Sequence, residues 1–229
     1  TRVKSEQVAT DTSNPLCDGE YCYDEALLKP LRAKLKNLTH ENTLIVLHMI
    51  GSHGPTYFKR YPKNKRVFTP DCQRSDIQNC TQEELVNTYD NTIAYTDFVL
   101  SKVINEMATL AEEQAMETSV LYVSDHGESL GEKGVYLHGL PYAFSPEEQT
   151  HIPMIYWNDK QQTDFSLSCL AQMSGAPLSH DNVFDTLLSI MSIQSKAYIN
   201  DKDSFIHCKS LSAIGRTTTV NQQHLEAIN

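Results

Sequence analysis

Three short apolar runs divide the chain. Residues 43–49, 119–124 and 152–157 are almost continuously apolar, which is the pattern of strands that are buried on both faces. Between these runs lie longer segments with apolar residues at helical spacing. Buried strands that alternate with helices predict an α/β fold, here a three-layer α/β/α sandwich around a mostly parallel sheet.

Three segments are predicted to be helices. Leucines recur at helical spacing over 24–38, where Asp24 is the expected N-cap. Thr81 and Glu84 have the spacing of a capping box and open a longer helix, and 181–191 is a third, amphipathic helix. The apolar face predicted for the long helix comprises Leu85, Tyr89, Ile93, Val99, Val103 and Leu110.

Length and charge narrow the class of protein. The 229 residues suffice for one domain with a sizeable core, and they carry a net charge of −10. Because nucleic-acid phosphates need clustered Lys and Arg, this charge argues against nucleic acid as a partner.

No apolar run approaches the roughly 20 residues that span a bilayer, and residues 1–14 lack the apolar core of a signal peptide. We therefore expect any anchor or export signal to lie upstream of Thr1. At the other end, the polar tail beyond Cys208 is expected to fray.

The six cysteines fall into three pairs along the sequence: Cys17 with Cys22, Cys72 with Cys80, and Cys169 with Cys208. The first two pairs close short polar loops, which suits disulfides that staple surface segments. Six cysteines permit fifteen pairings, so this local scheme is the most economical of several. An even number of clustered cysteines favours an oxidising compartment, and the alternative is six free thiols in the cytosol.

Candidate chemistry begins where the second apolar run ends. Asp125 and His126 follow that run directly, at a strand-to-turn junction where both side chains can converge on one point. A carboxylate and an imidazole suit zinc, which accepts mixed oxygen and nitrogen ligands. Gly127 lets the backbone approach closely. We therefore predict a zinc site with Asp125 and His126 as ligands, completed by groups from elsewhere in the fold.

Two further histidines lie in glycine-flanked loops. His53 follows the first apolar run, and His138 lies in a loop after the Asp125 segment. A single loop histidine is more often solvated than a ligand, but ligands in α/β folds bind beyond the carboxyl ends of strands, where these residues collect. We therefore expect His53 and His138 to face the same cleft and to bind substrate phosphate or a second metal. His48, within the first run, is interpreted as a core or supporting residue.

Four weaker candidates carry alternatives. Glu128 and Ser129 are expected to contact and orient the metal ligands without binding the metal themselves, or else to cap the next turn. Lys59 and Arg60 are interpreted as a solvated basic loop, with binding of anionic headgroups as the alternative.

The longest motif covers residues 123–139 and includes VSDHGESLGE followed by GVYLHG. It resembles the signature of the lipid A phosphoethanolamine transferases, bacterial inner-membrane enzymes whose products confer polymyxin resistance. Three shorter segments are similar to the same family: HGPTYFKRY, YDNT and PEEQTHIP. The resemblance extends from about Cys17 to Cys208.

This resemblance implies an alkaline-phosphatase-like fold and a zinc-dependent reaction in two steps. In the family, a threonine attacks phosphatidylethanolamine and diacylglycerol leaves; the phosphoethanolamine then passes from the threonine to a lipid A phosphate. Carried over, Asp125 and His126 would be zinc ligands, and His53 and His138 would bind substrate phosphate or a second metal. The cysteine pairs would be the family's disulfides, and the third pair rests mainly on this ground. The implied location is the inner membrane, with this domain facing the periplasm.

The chain departs from the family pattern in one respect. The family's nucleophilic threonine, its glutamate zinc ligand and its transmembrane helices all precede the matching region. We therefore expect residues 1–229 to be the C-terminal portion of a single periplasmic catalytic domain, incomplete at its N-terminus and inactive in isolation. Two alternatives stay open: a phosphoglycerol transferase or sulfatase-type hydrolase of the same fold, and an inert zinc-binding fragment.

Overall fold

The computed structural model describes residues 4–38, 42–159, 170–171, 173–193, 204 and 223–228, the last of these as backbone only. The strands among them are β1 (Lys4–Glu6), β2 (Asn42–Leu47), β3 (Ser119–Val123), β4 (Ser129–Leu130), β5 (Tyr136–Leu137), β6 (Met154–Asn158) and β7 (Gln223–Ile228). The α-helices are α1 (Leu28–Leu35), α2 (Gln82–Gln114), α3 (Glu147–Thr150) and α4 (Asp181–Ile190). No helix in the described ranges is long and apolar enough to cross a bilayer.

The strands pair in both directions. β7 lies between β1 and β2 and is parallel to each, whereas β3 pairs antiparallel with β6 and β4 with β5. The parallel sheet and the helices agree with the predicted α/β class. The described strands nevertheless form three separate sheets, and the second and third predicted strands, β3 and β6, pair antiparallel with each other rather than parallel. The expectation that the whole tail frays is wrong for β7, because hydrogen bonding to two neighbouring strands orders a segment that has no apolar run.

The first predicted strand is shorter and less covered than expected. It ends at Leu47, so His48 lies in the connection beyond it, where the residue is exposed. The interpretation of His48 as a core residue is therefore wrong. Val46 is 42% exposed, so burial on both faces does not hold at that position.

The first predicted helix begins differently from the expectation. A 3₁₀ turn over Asp24–Leu27 precedes α1, and its N-cap is Tyr23 rather than Asp24. The Asp24 side chain is buried and binds backbone N–H groups of the connection after β2 instead. The helix anchors the first core cluster, in which six leucine and valine side chains are buried together: Leu27, Leu28, Leu31, Leu35, Val103 and Leu110.

Helix α2 is the long element against which the site is built. Its capping box is confirmed: Glu84 N donates to Thr81 Oγ1 (3.2 Å), and Thr81 N donates to Glu84 Oε2 (2.9 Å). The predicted apolar face is wrong at Ile93, which is 47% exposed, whereas its neighbour Thr92 is 1% exposed. Around Thr92 the buried face of α2 carries polar residues, because the helix hydrogen-bonds to loops there instead of packing against a hydrophobic core.

The polar excursion between 56 and 80 is fixed to α2. Asn91 is fully buried; its Oδ1 accepts from Val67 N (2.7 Å) and Phe68 N (2.9 Å), and its Nδ2 donates to Phe68 O (2.9 Å).

Two of the three predicted disulfides are confirmed. Cys17 pairs with Cys22 at a Cα–Cα distance of 4.0 Å, and Cys72 pairs with Cys80 at 5.9 Å. The predicted pair Cys169–Cys208 lies outside the described residues.

Candidate functional site

Three histidine rings meet at the ends of the strands. The ring centroids of His126 and His138 are 3.8 Å apart, and His53 lies 5.4 Å from His138 and 6.5 Å from His126. These side chains come from the connection after β2, the turn after β3 and the loop after β5. The structure thus brings together the three histidines that the sequence placed near strand ends.

The Nδ1 atom of each of the three histidines lies within hydrogen-bond distance of an oxygen atom. Nδ1 of His53 lies 2.7 Å from Gly54 O, and Nδ1 of His126 lies 3.0 Å from Gly127 O. A carbonyl oxygen can only accept, so Nδ1 must carry the proton and donate it. In the neutral ring this leaves Nε2 with a free lone pair, the arrangement found in metal-binding histidines.

Glu128 occupies the buried side of the cluster. It is 5% exposed, and its carboxylate accepts hydrogen bonds from Gly54 N (3.2 Å) and the Tyr57 hydroxyl (3.2 Å). The same carboxylate lies 3.1 Å from His138 Nδ1, a contact that orients the ring. Burial and the negative charge of Glu128 raise the pKa of Tyr57, so its hydroxyl stays protonated and donates.

Two sets of groups could hold a metal. His126, Glu128 and His138 each offer a ligand atom, and these three atoms lie within 4.8 Å of one another. Asp125 Oδ2 lies 3.8 Å from His126 Nε2, and the Asp125 side chain is 89% exposed. Imidazole nitrogen and carboxylate oxygen are zinc ligands, so either set fits that ion chemically.

The turn after β3 is held against the segment before β6. Gly127 N donates to Gln149 O (2.9 Å), and a Cβ at Gly127 would collide with the carbonyl oxygen of Glu148. Only glycine can therefore follow His126 here. Ser129 is fully buried, and its Oγ accepts from Gln149 Nε2 (2.9 Å), so this contact is with the supporting segment rather than with a histidine.

Sequence reasoning missed the part played by Arg60. This residue is only 4% exposed, so its interpretation as part of a solvated basic loop is wrong, whereas the side chain of the adjacent Lys59 is 36% exposed. The sequence contained no local signal for this burial, because it depends on contacts of the guanidinium with Tyr21, His53 and Thr56.

The sulfatase family model matches residues 2–193. The phosphoethanolamine transferase EptA of Salmonella typhimurium is 45% identical over 199 residues, which is 85% of this chain and 36% of the relative. The chain thus spans little more than a third of that relative's length.

Two solved structures are similar over most of the chain. The soluble domain of lipooligosaccharide phosphoethanolamine transferase A from Neisseria meningitidis gives a TM-score of 0.82 at 37% identity, covering 91% of this chain and 68% of that one. The C-terminal periplasmic domain of phosphoethanolamine transferase EptC from Campylobacter jejuni gives 0.74 at 40% identity, covering 90% and 68%. The likeness confirms the predicted alkaline-phosphatase-like fold class. The chain belongs to the sulfatase family and, within it, to the phosphoethanolamine transferases.

Proposed function

We propose that this chain forms the C-terminal part of a catalytic domain that transfers phosphoethanolamine from phosphatidylethanolamine to a phosphate of lipid A. The observation that carries the proposal is the cluster of His53, His126 and His138 beside Asp125, within a chain of the phosphoethanolamine transferase family. The rest of the protein, upstream of this chain, would supply the nucleophilic threonine and an anchor in the bacterial inner membrane. This domain would face the periplasm.

The relatives support the substrate class. The Neisseria relative is named for lipooligosaccharide, and the Campylobacter relative for a periplasmic domain. The confirmed disulfides Cys17–Cys22 and Cys72–Cys80 fit an oxidising compartment such as the periplasm.

Asp125 and His126 are the proposed zinc ligands. His126 Nε2 has a free lone pair and faces Asp125 Oδ2 at 3.8 Å. Zinc bound there would supply Lewis-acid stabilisation of a phosphoryl oxygen and lower the pKa of the attacking hydroxyl. Glu128 already accepts from a backbone N–H and a tyrosine hydroxyl and contacts His138, so we assign it an orienting role.

His53 and His138 are the proposed groups for the substrate phosphate or a second metal. Glu128 orients the His138 ring and Gly54 O orients the His53 ring, so both rings are fixed before substrate arrives. Protonated, the two rings would pair with the phosphate charge; neutral, they would offer Nε2 to a metal.

The test is transfer by the whole purified protein in detergent micelles. With phosphatidylethanolamine labelled in its headgroup and lipid A as acceptor, we expect zinc-dependent release of diacylglycerol and label on lipid A. Asp125→Asn should abolish both, whereas Lys29→Gln, at an exposed position of α1 outside the motif that carries the histidines, should change neither. Transfer of phosphoglycerol, or hydrolysis of a sulfate ester in place of transfer, would contradict the proposal and favour the corresponding relative.

A further inference from the structure

The loop that carries His53 is anchored at its start by two other elements. This loop, residues 50–54, is termed the His53 turn. Asp24 accepts from Ile50 N (2.8 Å) through one carboxylate oxygen and from Gly51 N (2.9 Å) through the other. The hydroxyls of Ser52 and Thr92 of α2 hydrogen-bond to each other at 2.7 Å.

Arg60 anchors the other end of the turn. Its Nε donates to the carbonyl oxygen of His53 (2.8 Å), and its Nη2 donates to Thr56 Oγ1 (3.0 Å). The ring of Tyr21 covers the guanidinium, with Cζ 4.9 Å from the ring centroid. Arg60 therefore contacts the backbone of a histidine whose ring lies 5.4 Å from that of His138.

A contribution to stability alone does not explain why position 60 carries an arginine rather than an apolar residue. Burial lowers the pKa of Arg60 and raises that of Asp24, and each side chain offsets part of the other's cost through its charge. Arg60 Nη1 is nevertheless buried without a hydrogen-bond partner among the described residues. An apolar side chain of similar volume would avoid that desolvation penalty, which leaves the contact with the His53 turn as the reason for a guanidinium.

We propose that Arg60 is a positioning residue for His53 and that Asp24 is its counterpart at the start of the His53 turn. The planar guanidinium holds His53 O and Thr56 Oγ1 at once, a geometry that a lysine ammonium cannot reproduce. Loss of Arg60 would let the His53 backbone shift and carry its imidazole away from His138. This role of Arg60 rests on the proposed function only where transfer to lipid A is the quantity measured.

A double-mutant cycle tests whether Arg60 acts through His53. In the whole protein, Arg60→Gln should lower transfer to lipid A at least about fivefold, since small misplacements of a reacting group cost rate steeply. In a His53→Ala background the same substitution should have no further effect. Lys63→Gln is the matched control, because Lys63 is a basic residue three positions after Arg60 at an exposed site, and the activity of this variant should be unchanged.

A second readout is independent of transfer. In protein labelled with ¹⁵N-histidine, Arg60→Gln should shift the ring signals of His53 and leave those of the exposed His180 in place. If Arg60→Gln does not fold, Arg60→Lys and Asp24→Asn carry the same two measurements.

Three outcomes would overturn the proposal: equal losses in both backgrounds, an unchanged rate, or an unchanged His53 signal. Absence of transfer in the wild type would instead contradict the proposed function, while the ring signals would still decide the role of Arg60.

Discussion

Glu128 and Asp125 are two carboxylates beside one histidine pair, and their surroundings differ. Glu128 is 5% exposed and surrounded by donors, whereas the Asp125 side chain is 89% exposed and its Oδ2 faces His126 Nε2. Both oxygens of Glu128 are used by donors, whereas Asp125 accepts from His126 N through Oδ1 (3.0 Å) and keeps Oδ2 for a metal, so Asp125 is the better ligand. The two residues should therefore respond differently to amidation.

We expect Asp125→Asn to lose most of the bound zinc, because a neutral amide replaces a charged ligand. Glu128→Gln should keep most of its zinc while transfer falls about 10- to 100-fold, as is typical when the partner of a metal-site histidine is removed. Metal analysis of the purified whole protein checks both variants. If Glu128→Gln loses as much zinc as Asp125→Asn, Glu128 is a ligand and the set His126, Glu128 and His138 is the metal site.

Single residues could be predicted from sequence only where the local pattern held the information. His53 and His126 each precede a glycine just beyond a strand, and Asp125 directly precedes His126, so their convergence followed from the topology of α/β folds. Arg60 and Asp24 carry no such mark, because their burial depends on contacts with residues far away in sequence. Arg60 was misplaced because charged residues are usually exposed, and Asp24 because aspartate is a favoured N-cap residue.

Helix α2 is the element that organises the site. Its N-terminal half presents Thr88, Asn91 and Thr92 to the excursion and the His53 turn, and its C-terminal half packs leucine and valine against α1. The capping box and the helix were readable from sequence because they are local. The exposure of Ile93 could not be predicted from the sequence, because the polar character of the buried face of α2 depends on which loops contact the helix.

We expect Thr81→Ala to lower the free energy of unfolding by about 1 kcal/mol, because it removes the side-chain acceptor of the capping box. Thr109→Ala, at an exposed position of the same helix, should change it by less than about 0.5 kcal/mol. Denaturant unfolding of the purified protein measures both. Equal effects at the two positions would show that the cap adds nothing beyond threonine's helix propensity.

At the scale of the whole molecule, two disulfides cross-link polar segments of the described chain. Cys72 and Cys80 are eight residues apart, and closing a loop of that size stabilises a fold by about 2–3 kcal/mol in the chain-entropy account. The pairing was predictable because it is local. The role of β7 was not, since a strand between two parallel neighbours is selected by long-range pairing.

We expect thiol titration of the denatured, non-reduced protein to find no free thiol within residues 1–229. Two titratable thiols would mean that the predicted pair Cys169–Cys208 does not form, while the other four cysteines stay bridged. The reduced and denatured protein, which should give six for this segment, is the control. Six thiols without reductant would contradict an oxidising compartment.

The central claim is that this site modifies lipid A, and mass spectrometry of lipid A from cells producing the whole protein tests it most directly. We expect wild-type cells to contain lipid A heavier by the mass of phosphoethanolamine, and cells with Asp125→Asn at equal protein level to contain unmodified lipid A. Because the added amine offsets phosphate charge, the wild-type cells should also bind cationic polymyxin less. Unmodified lipid A in wild-type cells, or equal modification with Asp125→Asn, would contradict the account.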